Sequence, residues 1–336
     1  MNKKLAVLAI TSLFALGALA AGCGGDAKKD GGKKVNYPTK PINLIVPYAA
    51  GGSADLSARP FADEMNKLLG KPVVVVNKPG AGGGVGAAEV ARAQGDGYTA
   101  LHASIGNVTI VPHTASVGYD YKAFKPVAQM IDIPLVLAVK SDSKIKTLKD
   151  YIEFAKANPG KMRYGSPGAG NIQHVTLEGW AKTNNLKLTH TPYAGANPAM
   201  AALLGGHIES TFTGVTEALP HAKSGAVRLL AITGNNRVEC FPDVPGLKDV
   251  KTFKELGWDL QSTLWYGMLV PAKTPDDVVA ILADAAKKAY ESKKVQDGWK
   301  KLYLIPSYAD GKTLGEKIKK QSDSHAVILK DIGLKK

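Results

Sequence analysis

Two glycine-rich turns hold the residues whose types and spacing point to ligand chemistry. The first, Pro47-Tyr48-Ala49-Ala50-Gly51-Gly52-Ser53-Ala54-Asp55, follows the apolar run Ile42–Val46 and precedes a helical segment. The second, Tyr164-Gly165-Ser166-Pro167-Gly168-Ala169-Gly170-Asn171, follows Met162 and Arg163 and also precedes a helix. A strand, a glycine-rich turn and a helix start aim unpaired backbone N–H groups at one point, and the helix dipole makes that point attractive to an anion. Two such turns facing each other would hold a carboxylate between two lobes. Candidate contacts are therefore Tyr48, Ala50, Gly51, Gly52 and Ser53 from the first turn, and Ser166, Gly168, Ala169, Gly170 and Asn171 from the second. Ser104 and Asn107 follow a strand ending at Ala103, and Thr213 and Gly214 end another; open α/β sheets bind ligands at such carboxyl ends.

Each of these residues also has a structural reading. Gly51 and Gly52 suit a tight turn that needs positive φ. Ser53 is a natural N-cap, and Asn171 can cap the helix through Ile172 to Thr183. Asp55 would repel an anionic ligand, so it reads as a first-turn carboxylate that stabilises the helix start. Arg59, one turn further on, reads as the partner of a nearby carboxylate. His174 reads as a hydrogen-bonded packing residue, and Tyr48 as a wall of the cleft or a cover for the lobe edge.

Motifs for other chemistry are weak or missing. Gly82-Gly83-Gly84-Val85-Gly86-Ala87 fits G-x-G-x-x-A, but the acidic residue that should end a second strand is missing; Asp96 falls too early, in a turn between Gly95 and Gly97. The chain contains no G-x-S-x-G elbow and no H-E-x-x-H. The seven histidines are scattered, and two cysteines cannot supply a thiolate zinc cluster. Cys240, in a loop before Phe241-Pro242, reads as a bland small residue without a disulfide partner. A binding module without cofactor or metal is expected, rather than an enzyme. A secreted hydrolase would need a nucleophile–base pair, for which Ser166 and His174 are the only candidates.

The elements that must position these residues alternate along the chain. Strands are expected at Ile42–Val46, Val73–Asn77, Thr99–Ala103, Leu135–Val139, Arg163–Gly165, Lys187–Thr191, Glu209–Phe212, Arg228–Thr233 and Leu264–Val270. Helices are expected at Ala54–Leu69, Gly86–Gln94, Leu148–Asn158, Ile172–Thr183, Pro198–Leu204, Pro275–Glu291, Lys293–Lys301 and Leu314–Ile332. This alternation implies an α/β fold with mainly parallel sheets flanked by helices. Thr274-Pro275 reads as a cap followed by proline at the first helical position. The apolar runs Asp132–Val139 and Thr263–Val270 each have the length to pass from one sheet to another. As crossover strands at a hinge they would give a two-lobed Venus-flytrap architecture, with 37–134 and 265–336 as lobe 1 and 135–264 as lobe 2.

The amino terminus reads as an export signal. Met1-Asn2-Lys3-Lys4 is basic, residues 5–22 are almost wholly apolar, and small residues precede Cys23. This resembles a bacterial lipobox in which Cys23 receives lipid, although Ala20 stands where such signals more often carry Leu. The expectation is a signal peptide over 1–22, then a lipidated Cys23 and a disordered Gly/Lys/Asp tether through 36. The net charge of +14 falls to about +12 without Lys3 and Lys4. In an exported, anchored protein this charge suits a field that gathers small anions, or a soluble surface, better than nucleic acid.

From Tyr37 onward the chain resembles the periplasmic solute-binding proteins of tripartite tricarboxylate transporters, the Bug family. The pattern runs through Tyr37-Pro38-x-Lys40-Pro41-Ile42, Ile45-Val46-Pro47, Gly51-Gly52, Asp55 and Ala58-Arg59. It continues through Asn77-Lys78-Pro79-Gly80-Ala81-Gly82-Gly83, Asp96-Gly97-Tyr98-Thr99, Tyr119-Asp120 and Phe124-x-Pro126-Val127. Gly165-Ser166-x-Gly168-x-Gly170 follows, with His174 and Glu178, then Pro192-Tyr193-x-Gly195, Leu204-Gly205-Gly206 and Phe241-Pro242-Asp243-Val244-Pro245. The resemblance implies a monomeric, extracytoplasmic protein that captures a small carboxylate and hands it to membrane permease subunits. It places the carboxylate contacts on Tyr48–Ser53 and Ser166–Asn171, partly through water. Two departures bear on the ligand. Ala194 replaces the usual Lys or Arg, and Thr213-Gly214 follows Phe212 where relatives that bind amino acids often carry Asp. The second weakens the case for an ammonium-bearing ligand and leans towards a di- or tricarboxylate or an aromatic acid. A sensory protein that delivers the same ligand to a receptor or kinase is the alternative.

Overall fold

The β-branched runs Ile42–Val46 (β1) and Val73–Asn77 (β2) pair in parallel, with Ile42 opposite Val73 and Val46 opposite Asn77. The structure is a computed structural model that describes residues 35–335. The export signal 1–22, Cys23 and the tether up to residue 34 lie outside the described residues. Between β1 and β2 runs α1 (Ser53–Leu69), which buries Ala54, Ala58, Phe61, Ala62 and Met65 at helical spacing. It stops at Gly70, whose left-handed φ of 64° lets its N–H reach back to Asn66 O. Next come α2 (Gly84–Arg92) and β3 (Thr99–Ser104), which lies parallel to β1 on its other side. A π-helical turn, Gly106–Ile110, leads into the short α3 (Val111–Thr114).

The strand β4 (Phe124–Lys140) joins the two halves of the molecule. After it the chain builds α4 (Leu148–Ala157), β5 (Met162–Ser166), α5 (Ile172–Thr183), β6 (Leu188–Pro192) and α6 (Ala196–Leu204). It continues with β7 (Ser210–Gly214), α7 (Val215–Lys223), β8 (Val227–Ile232) and β9 (Thr263–Pro271). It closes with α8 (Asp276–Glu291), α9 (Lys293–Lys301), β10 (Pro306–Asp310) and α10 (Gly311–Asp331). The strand order is β2-β1-β3-β9-β4-β7-β5-β6, with β8 and β10 also pairing to β4.

Residues Phe124–Pro134 of β4 pair with β9, and Leu135–Val139 pair with β7. The change of partner falls between Pro134, which has no N–H to give a ladder, and Leu135. The sheet thus curls from β1, β2, β3, β9 and β10 on one side of β4 to β5, β6, β7 and β8 on the other. Pairs β1–β2, β1–β3, β5–β6 and β5–β7 are parallel, while every pair made by β4 or β9 is antiparallel. The result is a mixed α/β, two-lobed fold with helices packed on a curled sheet.

Some elements depart from the sequence expectation. β4 begins eleven residues before Leu135, because Pro126 and Pro134 hide a strand that tolerates them through register shifts at Pro126/Ala128 and Gln129/Ile131. α7 carries Pro220 inside it, which masks its helical pattern. β10, Pro-Ser-Tyr-Ala-Asp, has no apolar alternation, and among the described strands it pairs with β4 alone. Pro275 stands before the first helical residue rather than at it, and the buried Thr274 hydroxyl makes no cap hydrogen bond.

Candidate functional site

The turn after β1 is built around a buried carboxylate. Gly51 takes φ +82°, and its N–H donates to Asp55 Oδ2 at 3.0 Å. Arg59 Nε and Nη2 donate to Asp55 at 2.9 and 2.7 Å, and Asn77 Nδ2 donates at 3.0 Å. Burial works against the charge, but these hydrogen bonds, led by Arg59, hold the Asp55 carboxyl below the usual carboxylate range. Asp55 is thus an anchor for the turn, and Arg59 is its partner. Asn77 Nδ2 also reaches Tyr48 O at 3.0 Å and ties β2 to the same turn.

Two expectations for this turn change. Ser53 does not cap α1: the N-cap is Gly52, in extended conformation and without a capping side chain. The Gly51 amide is not free for a ligand, because Asp55 takes it. The amides of Ala50, Gly52, Ser53 and Ala54 have no acceptor among the described residues, and Ala50, Gly51 and Gly52 are exposed. Four unpaired donors at the start of a seventeen-residue helix are the anion-attracting feature of this lobe.

Hydroxyl groups wall this helix start. Tyr48 Oη lies 2.7 Å from Ser104 Oγ, and Ser53 Oγ lies 2.8 Å from Tyr266 Oη. Ser104 and Tyr266 are register partners across β3 and β9, which sets the two hydroxyl pairs side by side. Burial pushes both tyrosine hydroxyls to higher pKa, so they remain neutral donors. Asn107 Oδ1 accepts from the Ser104 amide at 3.1 Å, which leaves its buried Nδ2 without a partner. The Tyr266 ring stacks on His102, with centroids 5.4 Å apart.

The glycine run that mimics a dinucleotide fingerprint has a packing role here. A β-carbon at Gly83 would sit 3.0 Å from Asn107 Cβ and 3.1 Å from Tyr48 Cζ. At Gly86 it would sit 2.9 Å from Pro47 Cβ and 3.0 Å from Lys78 O. Bare backbone at these positions lets α2 press against the first turn.

The second half of the molecule brings Gly214 and Glu217 to this place. Leu135 of the crossover strand pairs with Gly214, the last residue of β7, and α7 starts immediately after it. A β-carbon at Gly214 would fall 2.5 Å from Glu217 Oε2, so the Glu217 carboxyl folds back over the end of β7. That oxygen is buried and has no hydrogen-bond partner. Burial pushes the Glu217 carboxyl up to about 7, while its own backbone amide and, more weakly, the Ser53 hydroxyl of the other half of the molecule work in the opposite direction. Thr213 Oγ1 is likewise buried without a partner.

The turn after β5 is largely self-satisfied. Ser166 Oγ donates to Gly168 O at 2.9 Å and lies 2.8 Å from His190 Nε2. The Gly168 amide donates back to Ser166 Oγ at 3.3 Å. The Gly170 amide donates to His174 Nδ1 at 3.0 Å, and Asn171 Oδ1 caps α5 by accepting from His174 N at 2.9 Å. His174 and His190 stack with centroids 3.8 Å apart, and burial lowers both imidazoles to about 4. The histidine beside Ser166 is therefore His190, not His174. With its proton directed at Gly168 O, Ser166 Oγ accepts from His190 Nε2–H, so that ring is a donor and not a base. The hydrolase pairing of Ser166 with His174 is not formed.

The structure therefore brings Tyr48, Ser53, Ser104 and Asn107 together, with Gly214 beside them on the second half. No hydrogen bond among the described residues joins the Ser166–Asn171 turn to the Tyr48–Ser53 turn. Within the second turn, Ala169 is exposed, and the amides of Ala169 and Asn171 have no acceptor among the described residues. Sequence reasoning missed Tyr266, Glu217 and His190. Tyr266 was legible as a hydroxyl inside a crossover run. Glu217 was legible as a first-turn carboxylate after a strand-ending glycine, whereas nothing marked His190. Among the described residues, no group of three His, Cys, Asp or Glu side chains is arranged to hold a metal, and no helix is long and apolar enough to cross a membrane.

Comparison with known proteins bears on the family and the fold. The family model described as the tripartite tricarboxylate transporter family receptor matches residues 57–334. The chain is 34% identical over 334 residues to the UPF0065 protein in the gbd 5′ region of Cupriavidus necator, covering 99% of this chain and 97% of that one. It is similar to a solved periplasmic transporter, with 36% identity and a TM-score of 0.78 over 89% of this chain and 99% of the other. It is also similar to the periplasmic binding protein BugD, with 32% identity and a TM-score of 0.77 over 89% and 99% of the two chains. Two proteins from R. palustris, one solved with adipate and one with bound malate, share the fold at 24% identity. Their TM-scores are 0.78 and 0.75, and the alignments cover 89% and 87% of this chain and 99% and 100% of theirs.

Proposed function

The chain belongs to the tripartite tricarboxylate transporter receptor family, and from that premise we propose that it is an extracytoplasmic solute-binding protein. It captures a small di- or tricarboxylate, or an aromatic acid, between its lobes and delivers it to the transporter's permease. Lobe 1 comprises residues 37–134 and 265–336, and lobe 2 comprises 135–264. The change of partner along β4 supports this division.

One observation carries the reading. Four unpaired amides start α1, and neutral hydroxyls wall them in. Backbone donors held by a rigid helix are aligned before the ligand arrives, so little ordering entropy is lost on binding. Asp55 does not oppose an anion here, because Arg59 balances its charge. Ser104, Asn107, Thr213 and Gly214 line the strand ends beside the cradle, and the turn Ser166–Asn171 supplies further contacts from lobe 2. The adipate- and malate-bound proteins of the same fold illustrate the ligand class.

Thermal-shift screening with citrate, malate, succinate, adipate and terephthalate tests this. A ligand at a hundredfold excess over Kd should stabilise the protein by about 2.7 kcal/mol. The substitution Gly52→Asp places a carboxylate at the helix start. A side chain fits there, since its β-carbon would meet only Ala49 O at 3.8 Å and φ is −82°. The variant should fold and lose carboxylate-induced stabilisation. Stabilisation by a sugar but by no carboxylate would refute the function, and unchanged carboxylate binding in the variant would remove the cradle from the first turn.

A further inference from the structure

Glu217 sits where a carboxylate-binding protein has least use for a negative charge. Its carboxyl lies over Gly214 at the end of β7, and no side chain at position 214 could occupy the same space. Across the lobes it faces the Ser53 hydroxyl, which belongs to the same helix start that bears the unpaired amides. Its Oε2 is buried and unpartnered, and among the described residues no cation pairs with it.

The titratable groups around it leave it uncompensated. From β9 comes Tyr266, a neutral phenol engaged with Ser53, and behind it stands the buried, uncharged His102 of β3. From the first turn comes Tyr48, also neutral, while Asp55 is held by Arg59. Among the elements packed on α7, strand β4 carries Asp132, which is paired with Lys317, and Lys125 and Lys140, which are paired with Asp276 and Asp142. β8 carries Arg228, which has no pairing with Glu217; α7 itself carries His221, one turn further on, and Lys223, which is paired with Asp243; β7 and α6 carry no charged side chain. An ionised carboxylate buried with only its own backbone amide and the Ser53 hydroxyl as donors is costly, and a bound anion beside it raises that cost.

We infer that Glu217 is a ligand-facing acid that meets a carboxylate as a neutral hydrogen-bond donor, so that capture takes up one proton. This rests on the carboxylate-binding reading above. The proton comes from solvent onto Glu217 Oε, and the resulting O–H donates to a ligand carboxylate oxygen; no other bond is made or broken. The carboxyl titrates near neutrality, at about 7, so the step falls within the range where solution pH can control it. A ligand bearing an ammonium group would want the opposite state, an ionised Glu217 as acceptor. Glu217 thereby selects plain carboxylates at low pH.

Calorimetric titration of malate, adipate and citrate between about pH 6 and about pH 9, in two buffers of different ionisation enthalpy, counts the protons directly. Proton uptake by the wild type should be small near about pH 6, about one half near pH 7 and close to one above about pH 8, and Kd should weaken towards tenfold per pH unit above about pH 7. In Glu217→Gln the slope and the Glu217-dependent uptake should vanish; the difference between the two proteins subtracts the ligands' own ionisation. Carboxylate binding by the wild type with flat Kd and no such uptake overturns this inference and leaves the carboxylate function standing. Persistence of slope and uptake in Glu217→Gln overturns it as well. Binding of none of these acids, nor of succinate or terephthalate, at any pH refutes both. If the variant does not fold, the wild-type proton count still decides.

Discussion

Asp55 and Glu217 show how environment gives two carboxylates beside one helix start opposite characters. Asp55 collects Arg59, Asn77 and the Gly51 amide and stays ionised; Glu217 collects no strong donor and drifts towards neutrality. Imidazoles follow the same logic with the opposite sign. Burial holds His174, His190 and His325 at about 4 and His102 at about 3, below the ordinary value near 6.5. The unfolded chain therefore binds protons that the native state refuses. Their stabilisation is complete above about pH 6.5 and is lost as pH falls through about 4. The urea midpoint should drop steeply over that window, and His174→Gln should soften the drop by on the order of 1–2 kcal/mol. An unchanged acid limb in that variant would show that the His174 site does not control it.

At the scale of elements, the start of α1 is held from behind by α2. The backing depends on glycine at positions 83 and 86, where contacts with Tyr48, Asn107 and Pro47 leave no room for a β-carbon. Gly86→Ala should destabilise the fold by about 1–3 kcal/mol, the usual range for overpacking, although alanine is the better helix former. The atoms it meets include backbone, Pro47 Cα and Lys78 O, so relief requires the turn itself to move. Carboxylate affinity should therefore fall along with stability, as equilibrium denaturation and calorimetry on one sample can show. A stabilised variant with wild-type affinity would contradict this packing account.

At the largest scale, the described residues form two lobes joined through β4 and β9. Both strands cross in antiparallel pairing, with Pro134 opposite Thr263 at the changeover. Lys317 of α10 grips the crossover on one side, donating to Gln129 Oε1 and Asp132 Oδ2, each at 2.9 Å. A hinge of two strands allows the lobes to close as rigid bodies, since φ/ψ changes at a few residues suffice. Closure on a carboxylate should reduce the radius of gyration measured by small-angle scattering with saturating adipate, malate or citrate, whichever binds. Gly52→Asp should show no change under the same conditions. A radius unaltered by a tightly bound acid would mean that the cleft does not close.

Local pattern alone made most of the scaffold legible. β1, β2, α5 and α9 have their expected bounds, because continuous β-branched runs and helical apolar spacing are local signals. The two glycine-rich turns were legible from local pattern as well, and so was a carboxylate partner for Arg59, which the structure identifies as Asp55: partners four residues apart meet on any helix. Tertiary structure alone decided which distant groups share the helix start. Ser53 meets Tyr266 across 213 residues, and Ser166 meets His190 rather than the His174 that stands nearer in sequence. The first half of β4 was hidden because its prolines break the strand pattern, and only its neighbours β9 and β10 supply the pairing that holds it. Glu217 carries an ordinary first-turn carboxylate signature in the sequence. Its unusual state exists only because the crossover strand folds one lobe's strand end against the other lobe's helix start, where burial removes the water that would have kept it charged.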